Sequence, residues 1–159
     1  MDSISISEGC EGVEREKSCF FIGSRYSGEE LFPSLCRVVE EHIIRYGVKN
    51  FYVGHRGNFD RLAALSVMQA KIRHPQVKLI LVLAYPSAAN PSCYPSGFDS
   101  VLYPWDQPLK EEKGAIIRTN QYMVDSCSFL IAHPARQQSN SSKLVAYARK
   151  ASGPRITLL

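Results

Sequence analysis

The sequence predicts an α/β protein: a three-layer sandwich in which a mostly parallel sheet carries helices on both faces. Short apolar runs alternate with stretches whose apolar residues recur at helical spacing. The run "VKLILVLAYP" (77–86) is apolar at nearly every position, as a strand buried on both faces of a parallel sheet must be. The connections between most of these segments are short, which suits strand and helix succeeding one another in layers.

The elements follow in order. "CFFIG" (19–23) is the first strand and ends on glycine, and "SRYSG" is the loop after it. Leu31, Leu35, Val38, Val39, His42, Ile43 and Tyr46 then recur as one helical face. Proline is tolerated only in the first turn, so this helix starts within about two or three residues of Pro33. Gly47 suits its C-terminal cap. "FYVG" (51–54) is the second strand, and the helix after it places Leu62, Leu65, Met68 and Ile72 on one face before stopping near His74-Pro75. "VKLILVLAYP" is the third strand. Residues 86–100, rich in Pro, Ser, Asn and Gly, are the longest loop, and "SVLYP" (100–104) reads as a short strand. Residues 107–126 form a helix with Ile116, Asn120, Met123 and Cys127 along one side. "SFLIAHP" is another strand, "SSKLVAYARKA" another helix, and "RITLL" closes the sheet. The opening residues 1–17 read as a flexible polar leader, and 18–159 as a single domain without internal repeat or linker.

Composition narrows the function classes. The 159 residues suffice for one sizeable core, and 45% hydrophobic with 21% charged residues is the balance of a soluble globular chain. No apolar run approaches the roughly 20 residues that span a bilayer, so no membrane role is expected. The start has no basic region followed by an apolar core, so it is not a secretory signal. A net charge of +4 and a pI near 8.8 would suit an anionic ligand. The basic residues are scattered, however, so most read as solvated surface and nucleic acid is not the expected partner. The five cysteines, Cys10, Cys19, Cys36, Cys93 and Cys127, are odd in number and contain no CxxC. No disulfide framework, metal site or cofactor is therefore expected, and a reducing cytoplasm fits best. Cys19 and Cys127 begin apolar runs and read as small core residues.

In such sheets ligands bind beyond the carboxyl ends of the strands, where helix N-termini present free N–H groups. Three strand ends here carry polar or glycine-rich turns: "IGSRYSG" (22–28), "VGHRGNFD" (53–60) and "AHPARQQSNSS" (132–142). Gly54 and Gly57 would let the backbone turn sharply against an oxygen-rich group, with the N–H groups of 57–60 aimed at an anion and His55 and Arg56 adding charge. The plainer alternative is that the glycines close a tight turn and Asp60 complements the helix dipole. The pattern is neither GxGxxG nor GxxxxGK[ST]. Arg25 could grip a phosphate or carboxylate, or be a solvated loop arginine. Arg118 and Asn120 could point to a pocket, or Asn120 could be a satisfied buried amide. Ser139, Asn140 and Ser141 suit helix capping and also oxyanion contacts.

The segments "CFFIGSR", "HIIRYGVKNFYVGHRGNFDRLAA", "VKLILVLAYP", "IIRTNQYMVDSCSFLIAH" and "SNSSKLVAYARKASGPRITLL" resemble, in order and spacing, the SLOG superfamily. That group includes the DNA-processing protein A fold, the LONELY GUY phosphoribohydrolases and small YpsA-like bacterial proteins, the last being the nearest likeness. The resemblance covers nearly everything from Cys19 to Leu159. It implies a Rossmann-like domain that binds a nucleotide or nucleotide-derived small molecule, as a homo-oligomer. Gly23, Ser24 and Arg25 match its first-strand turn, and Gly54, Gly57, Asn58, Phe59 and Asp60 its second-strand glycine–aspartate motif. Arg118 and Asn120 match a polar pair before "MVD", and Ser139, Asn140 and Ser141 fall in the last phosphate-facing loop.

The phosphoribohydrolase motif PGGxGTxxE is absent. The matching stretch "SNSSKLVAYARK" has neither its glycine pair nor an acid. A ligand-binding module, a sensor or a sequestering protein, is the expected function. Hydrolysis of a nucleotide's N-glycosidic bond is the enzymatic alternative and would rest on Asp60, the only motif acid near the cradle. Handling of single-stranded DNA would need a basic groove with stacking aromatics. Tyr26, Tyr94 and Tyr103 are available, but the basic residues do not cluster around them.

Overall fold

The computed structural model describes residues 6–8, 17–85, 96–105, 113–135, 139–150 and 153–159. In chain order these form β1 (Ile6–Glu8), β2 (Ser18–Gly23), α1 (Phe32–Tyr46), β3 (Asn50–Val53), α2 (Asn58–Arg73), β4 (Lys78–Val82) and β5 (Ser100–Tyr103). They continue with α3 (Lys113–Ser126), β6 (Phe129–His133), α4 (Asn140–Ala148) and β7 (Arg155–Leu158). The strands make one sheet in the order β1-β5-β4-β3-β2-β6-β7, and every pair is parallel. From β2 the chain steps outward through β3, β4 and β5, and then returns through α3 to lay β6 on the other side of β2. The order of strands therefore reverses between β2 and β6, the position at which such sheets open a crevice.

Alternation of side chains across the sheet divides the core in two. Phe21, Phe51, Val53, Leu79 and Ile131 pack against α1 and α2. Their neighbours Phe20, Ile22, Tyr52, Ile80, Val82 and Leu130 pack against α3 and α4 through Met123, Val124, Leu144 and Val145. Burial of each such side chain is worth about 1.5–3 kcal/mol, which makes these two layers the main source of stability. The result is the expected α/β three-layer sandwich of Rossmann-like form.

The ends of α1 are set as its sequence requires. Pro33 lies in the first turn, and Gly47 takes a left-handed φ of 69° and donates its N–H to the His42 carbonyl. The buried stripe of α2 differs from expectation. It runs through Phe59, Leu62, Ala63, Ser66, Val67 and Ala70, while Leu65 and Met68 are half-buried and Ile72 is 80% exposed. The alanines share the core between the sheet and α1 with Phe59, Leu62 and Val67, and Leu65, Met68 and Ile72 lie on the flank. On α3 the fully buried residues are Ala115, Thr119, Met123 and Val124. Ile116 and Asn120, expected on the stripe of Met123, are turned one position away and half-buried.

Three residues of the stretch expected to be a flexible leader, Ile6–Glu8, form the edge strand β1 beside β5. The rest of that stretch lies outside the described residues apart from Lys17, as do 86–95 of the long loop, 107–112 of the expected α3 and residue 151 at the expected end of α4. Cys19 and Cys127 are fully buried, as expected of small core residues. Burial pushes the Cys19 thiol well above its ordinary range.

Among the described residues, His42 is a buried side chain with one unpartnered polar atom. Its Nδ1 lies 2.8 Å from the Val38 carbonyl oxygen and must carry the proton, while Nε2 has no hydrogen-bond partner. The ring sits edge-on to Tyr46 and Phe129, at 5.2 and 5.6 Å between centroids. Loss of hydration lowers its pKa, only partly countered by the Val38 carbonyl.

Two outcomes follow for equilibrium urea unfolding. Leu62→Ala costs about 2–5 kcal/mol, whereas Ile72→Lys stays within about 0.5 kcal/mol of the parent. As pH falls below the ordinary histidine value, the unfolded chain protonates residue 42 while the folded chain resists. Stability is therefore full above that value and declines below it, and His42→Phe makes the decline shallower.

Candidate functional site

The loops after β2 and β3 are brought together by two close approaches. A Cβ on Gly23 would lie 2.2 Å from Cγ of Phe59, so only glycine lets the Phe59 ring rest on the end of β2. Gly57 has φ 99°, and a Cβ there would lie 2.3 Å from the Cβ of Arg25. Asn58 then laces the two loops. Its backbone N–H donates to the Arg25 carbonyl at 2.9 Å, and its side-chain amide to the Ser27 carbonyl at 2.6 Å and to Glu29 at 2.9 Å. Its amide oxygen accepts from Arg61 Nε at 2.8 Å, and Arg61 also pairs with Glu29. The hydrogen bonds from Asn58 and Arg61 hold the Glu29 carboxyl below its ordinary range. Ser24 closes the turn on the other side, its hydroxyl accepting from Tyr26 N–H at 3.0 Å.

Beyond this junction a cleft of about 1030 Å³ opens at the carboxyl ends of β2, β3 and β4, bounded by α3 and α4. Gly23, Ser24, Arg25, Gly54, His55 and Arg56 line it from the first two strand ends, together with Asp60. Asn120 lines it from α3, and Ser139, Asn140 and Ser141 from the start of α4. The structure thus places eleven of the residues singled out in sequence around one cleft. Gly57 and Asn58 are not on its wall, because they are spent on joining the loops. Arg118 is not there either. Its guanidinium lies over the Trp105 ring at 5.1 Å, and that indole N–H donates to Thr119 Oγ1 at 2.9 Å. Tyr94 lies outside the described residues.

Electrostatically the cleft is mixed. Arg56 donates from its guanidinium to the Tyr85 hydroxyl at 3.3 Å, and its backbone N–H donates to Asp60 Oδ2 at 2.9 Å. Gly54 gives that carboxylate room, since a Cβ there would lie 3.0 Å from Oδ2. Loss of hydration pushes Asp60 up to about 7, and Arg56 offsets this only in part. His55 packs edge-on to Tyr85 at 6.3 Å, and burial followed by the Arg56 charge lowers its pKa. At α4 Ser139 caps the helix and Ser141 ties it to the segment after β6. Ser139 Oγ accepts from Ser142 N–H at 3.1 Å, and Ser141 Oγ accepts from Ala135 N–H at 3.0 Å.

Sequence reasoning passed over Tyr85, Ile116, Ile117, Gln121, Lys143 and Tyr147, which also line the cleft. Lys143 carried a usable signal, since it lies one turn after Asn140 on a helix that starts at a strand end. Ile116, Ile117 and Gln121 depend on how α3 crosses the sheet, and Tyr85 and Tyr147 on how the end of β4 and the face of α4 meet there. Among the described residues, no group of three or more His, Cys, Asp or Glu is placed to hold a metal ion, and no helix is long and apolar enough to cross a membrane.

Gly57→Ala forces a side chain into a disfavoured φ and against the Arg25 backbone. The expected cost is about 2 kcal/mol or more in urea unfolding.

No protein-family model and no curated protein sequence matches the chain. Solved structures do. DNA processing protein A from Helicobacter pylori, studied for its single-stranded DNA binding mode, is similar over 91% of this chain and 66% of its own, with a TM-score of 0.66 and 14% identity. DNA processing protein A from Streptococcus pneumoniae is similar over 89% of this chain and 49% of its own, with a TM-score of 0.60 and 19% identity. The chain thus spans just under two thirds of one relative and about half of the other. At these identities the likeness concerns architecture: this chain has the Rossmann-like α/β fold found in DNA processing protein A.

Proposed function

We propose that the cleft binds a nucleotide or a nucleotide-derived, phosphate-bearing small molecule, and that the protein senses or sequesters it. The observation that carries this reading is the cleft's place and lining. It lies where the strand order reverses, and Arg25, Arg56 and Lys143 all face it. Guanidinium and ammonium groups at such a strand end suit phosphate oxygens. Tyr85, Ile116 and Ile117 offer apolar surface for a base or sugar, and Asn120 and Gln121 offer amides for its polar edges. A homo-oligomer working in the cytoplasm, with kinship to the small YpsA-like bacterial proteins, belongs to the same proposal.

The hydrolytic alternative rests on Asp60, whose raised pKa suits proton transfer. Its Oδ2, however, is engaged by the Arg56 N–H, and the phosphoribohydrolase glutamate motif is absent. A second reading, binding of single-stranded DNA, is favoured by one feature. Tyr26 is 83% exposed at the cleft with the Arg25 guanidinium 5.9 Å from its ring centre, a surface on which a base could stack. The Helicobacter pylori relative's single-stranded DNA binding mode supports the same reading.

A thermal-shift and native mass-spectrometry panel of AMP, ADP-ribose, NAD, cyclic nucleotides and a short oligothymidine separates these readings. Binding at a hundredfold excess over Kd adds about 2.7 kcal/mol, a rise of several degrees in Tm. Arg25→Ala and Lys143→Ala are expected to remove that rise. Free base in the mixture would indicate the hydrolase, and a salt-sensitive shift confined to oligothymidine would indicate the DNA reading. If no phosphate-bearing compound stabilises the protein, the small-molecule reading is wrong.

A further inference from the structure

The charges of the cleft are set against one another at a single point. Arg25, Arg56 and Lys143 line it, and Asp60 is the one carboxylate among the described lining residues. That carboxylate does not sit at the rim. It projects from the first turn of α2 into the 54–57 loop, accepts the Arg56 N–H at 2.9 Å, and fills the space left by the missing Gly54 side chain. This is the place where a glycine turn before a helix would receive an oxyanion. Asp60 already supplies one, so an ionised Asp60 and a ligand phosphate compete for the same polar ground.

We propose that Asp60 gates the cleft with its own charge: a phosphate group occupies the 54–57 loop only when Asp60 carries a proton, so ligand binding takes up a proton. This rests on the reading of the cleft as a phosphate site and adds its regulation. A protonated Asp60 still accepts the Arg56 N–H and gains an O–H that can donate to a phosphate oxygen. The groups around it leave that role to Asp60. On α2, Arg61 turns away to Glu29 and Asn58. In the loop, burial and Arg56 favour neutral His55, and the Arg56 guanidinium reaches Tyr85. Arg25 and Tyr26 from the β2 loop and Lys143 and Tyr147 from α4 face the same cleft, and none of them carries a carboxylate. Loss of hydration brings the exchange to about pH 7, where the gate would respond within the neutral range.

The test is titration calorimetry with ADP-ribose, whose phosphates stay ionised between about pH 5.5 and 8.5, and with AMP as second probe. Because only the protonated fraction is competent, the parent's Kd is expected to rise by about tenfold per pH unit above neutrality. Asp60→Asn keeps an acceptor for the Arg56 N–H without the charge, and its Kd should be flat and lower than the parent's at high pH. Repeating the parent titration near pH 8 in buffers of different ionisation enthalpy should show uptake approaching one proton, a readout that does not depend on the variant folding. Binding with no proton uptake and no pH slope overturns the gate and leaves the ligand reading intact. A slope that persists in Asp60→Asn assigns the proton to another group, His55 first, and also overturns it. Failure of both probes to bind either protein at any pH removes the phosphate site and the gate together.

Discussion

The loops after β2 and β3 approach each other more closely than side chains allow, and the rest of the site depends on that contact. Phe59 rests on Gly23, Gly57 rests on Arg25, and Asn58 stitches both loops with its backbone and its amide. This fixes α2 against the end of β2, so that the 54–57 segment has one path across the carboxyl ends of the strands. The polar groups consumed in the joint, those of Asn58, Glu29 and Arg61, are then unavailable to a ligand. Ser24, Arg25, Tyr26, His55, Arg56 and Asp60 remain facing the cleft.

The sheet supplies the other half of the arrangement. Among the described residues the four α-helices cover it, two to a face, and the return of the chain through α3 carries an element across the reversal in strand order. That crossing brings Ile116, Ile117 and Asn120 opposite the charged strand ends and gives the cleft one polar and one partly apolar wall. The chemistry of the site therefore comes from segments far apart in sequence, joined by parallel pairing between β2 and β6.

Much of this architecture is legible in the sequence, because strand–helix alternation, the doubly buried β4 run, Pro33 and Gly47 each have a local physical cause. The face of α2 was not. The eye follows Leu65, Met68 and Ile72, whereas a helix lying close to the sheet buries its alanines, and Ala63 and Ala70 do that here. The three residues of β1 are too short a pattern to stand out from a polar opening. In the site, the glycine positions could be seen in advance but part of their reason could not. Gly57 suits a turn against an anion or simply a tight turn, and in the structure it admits the backbone of Arg25. Tyr85 and Tyr147 are not legible in sequence because their meeting depends on tertiary geometry, and Arg118 lies off the cleft because its guanidinium covers Trp105.

Trp105 is the only tryptophan in the chain. Its indole N–H is tied to Thr119, and the Arg118 guanidinium covers its face. Both partners belong to α3, whose next residues Asn120 and Gln121 line the cleft. The colour and brightness of indole emission depend on such a hydrogen bond and such a neighbouring charge. The fold consequently carries an optical probe where Trp105 meets α3, and any shift of that helix against Trp105 is visible in the unlabelled protein.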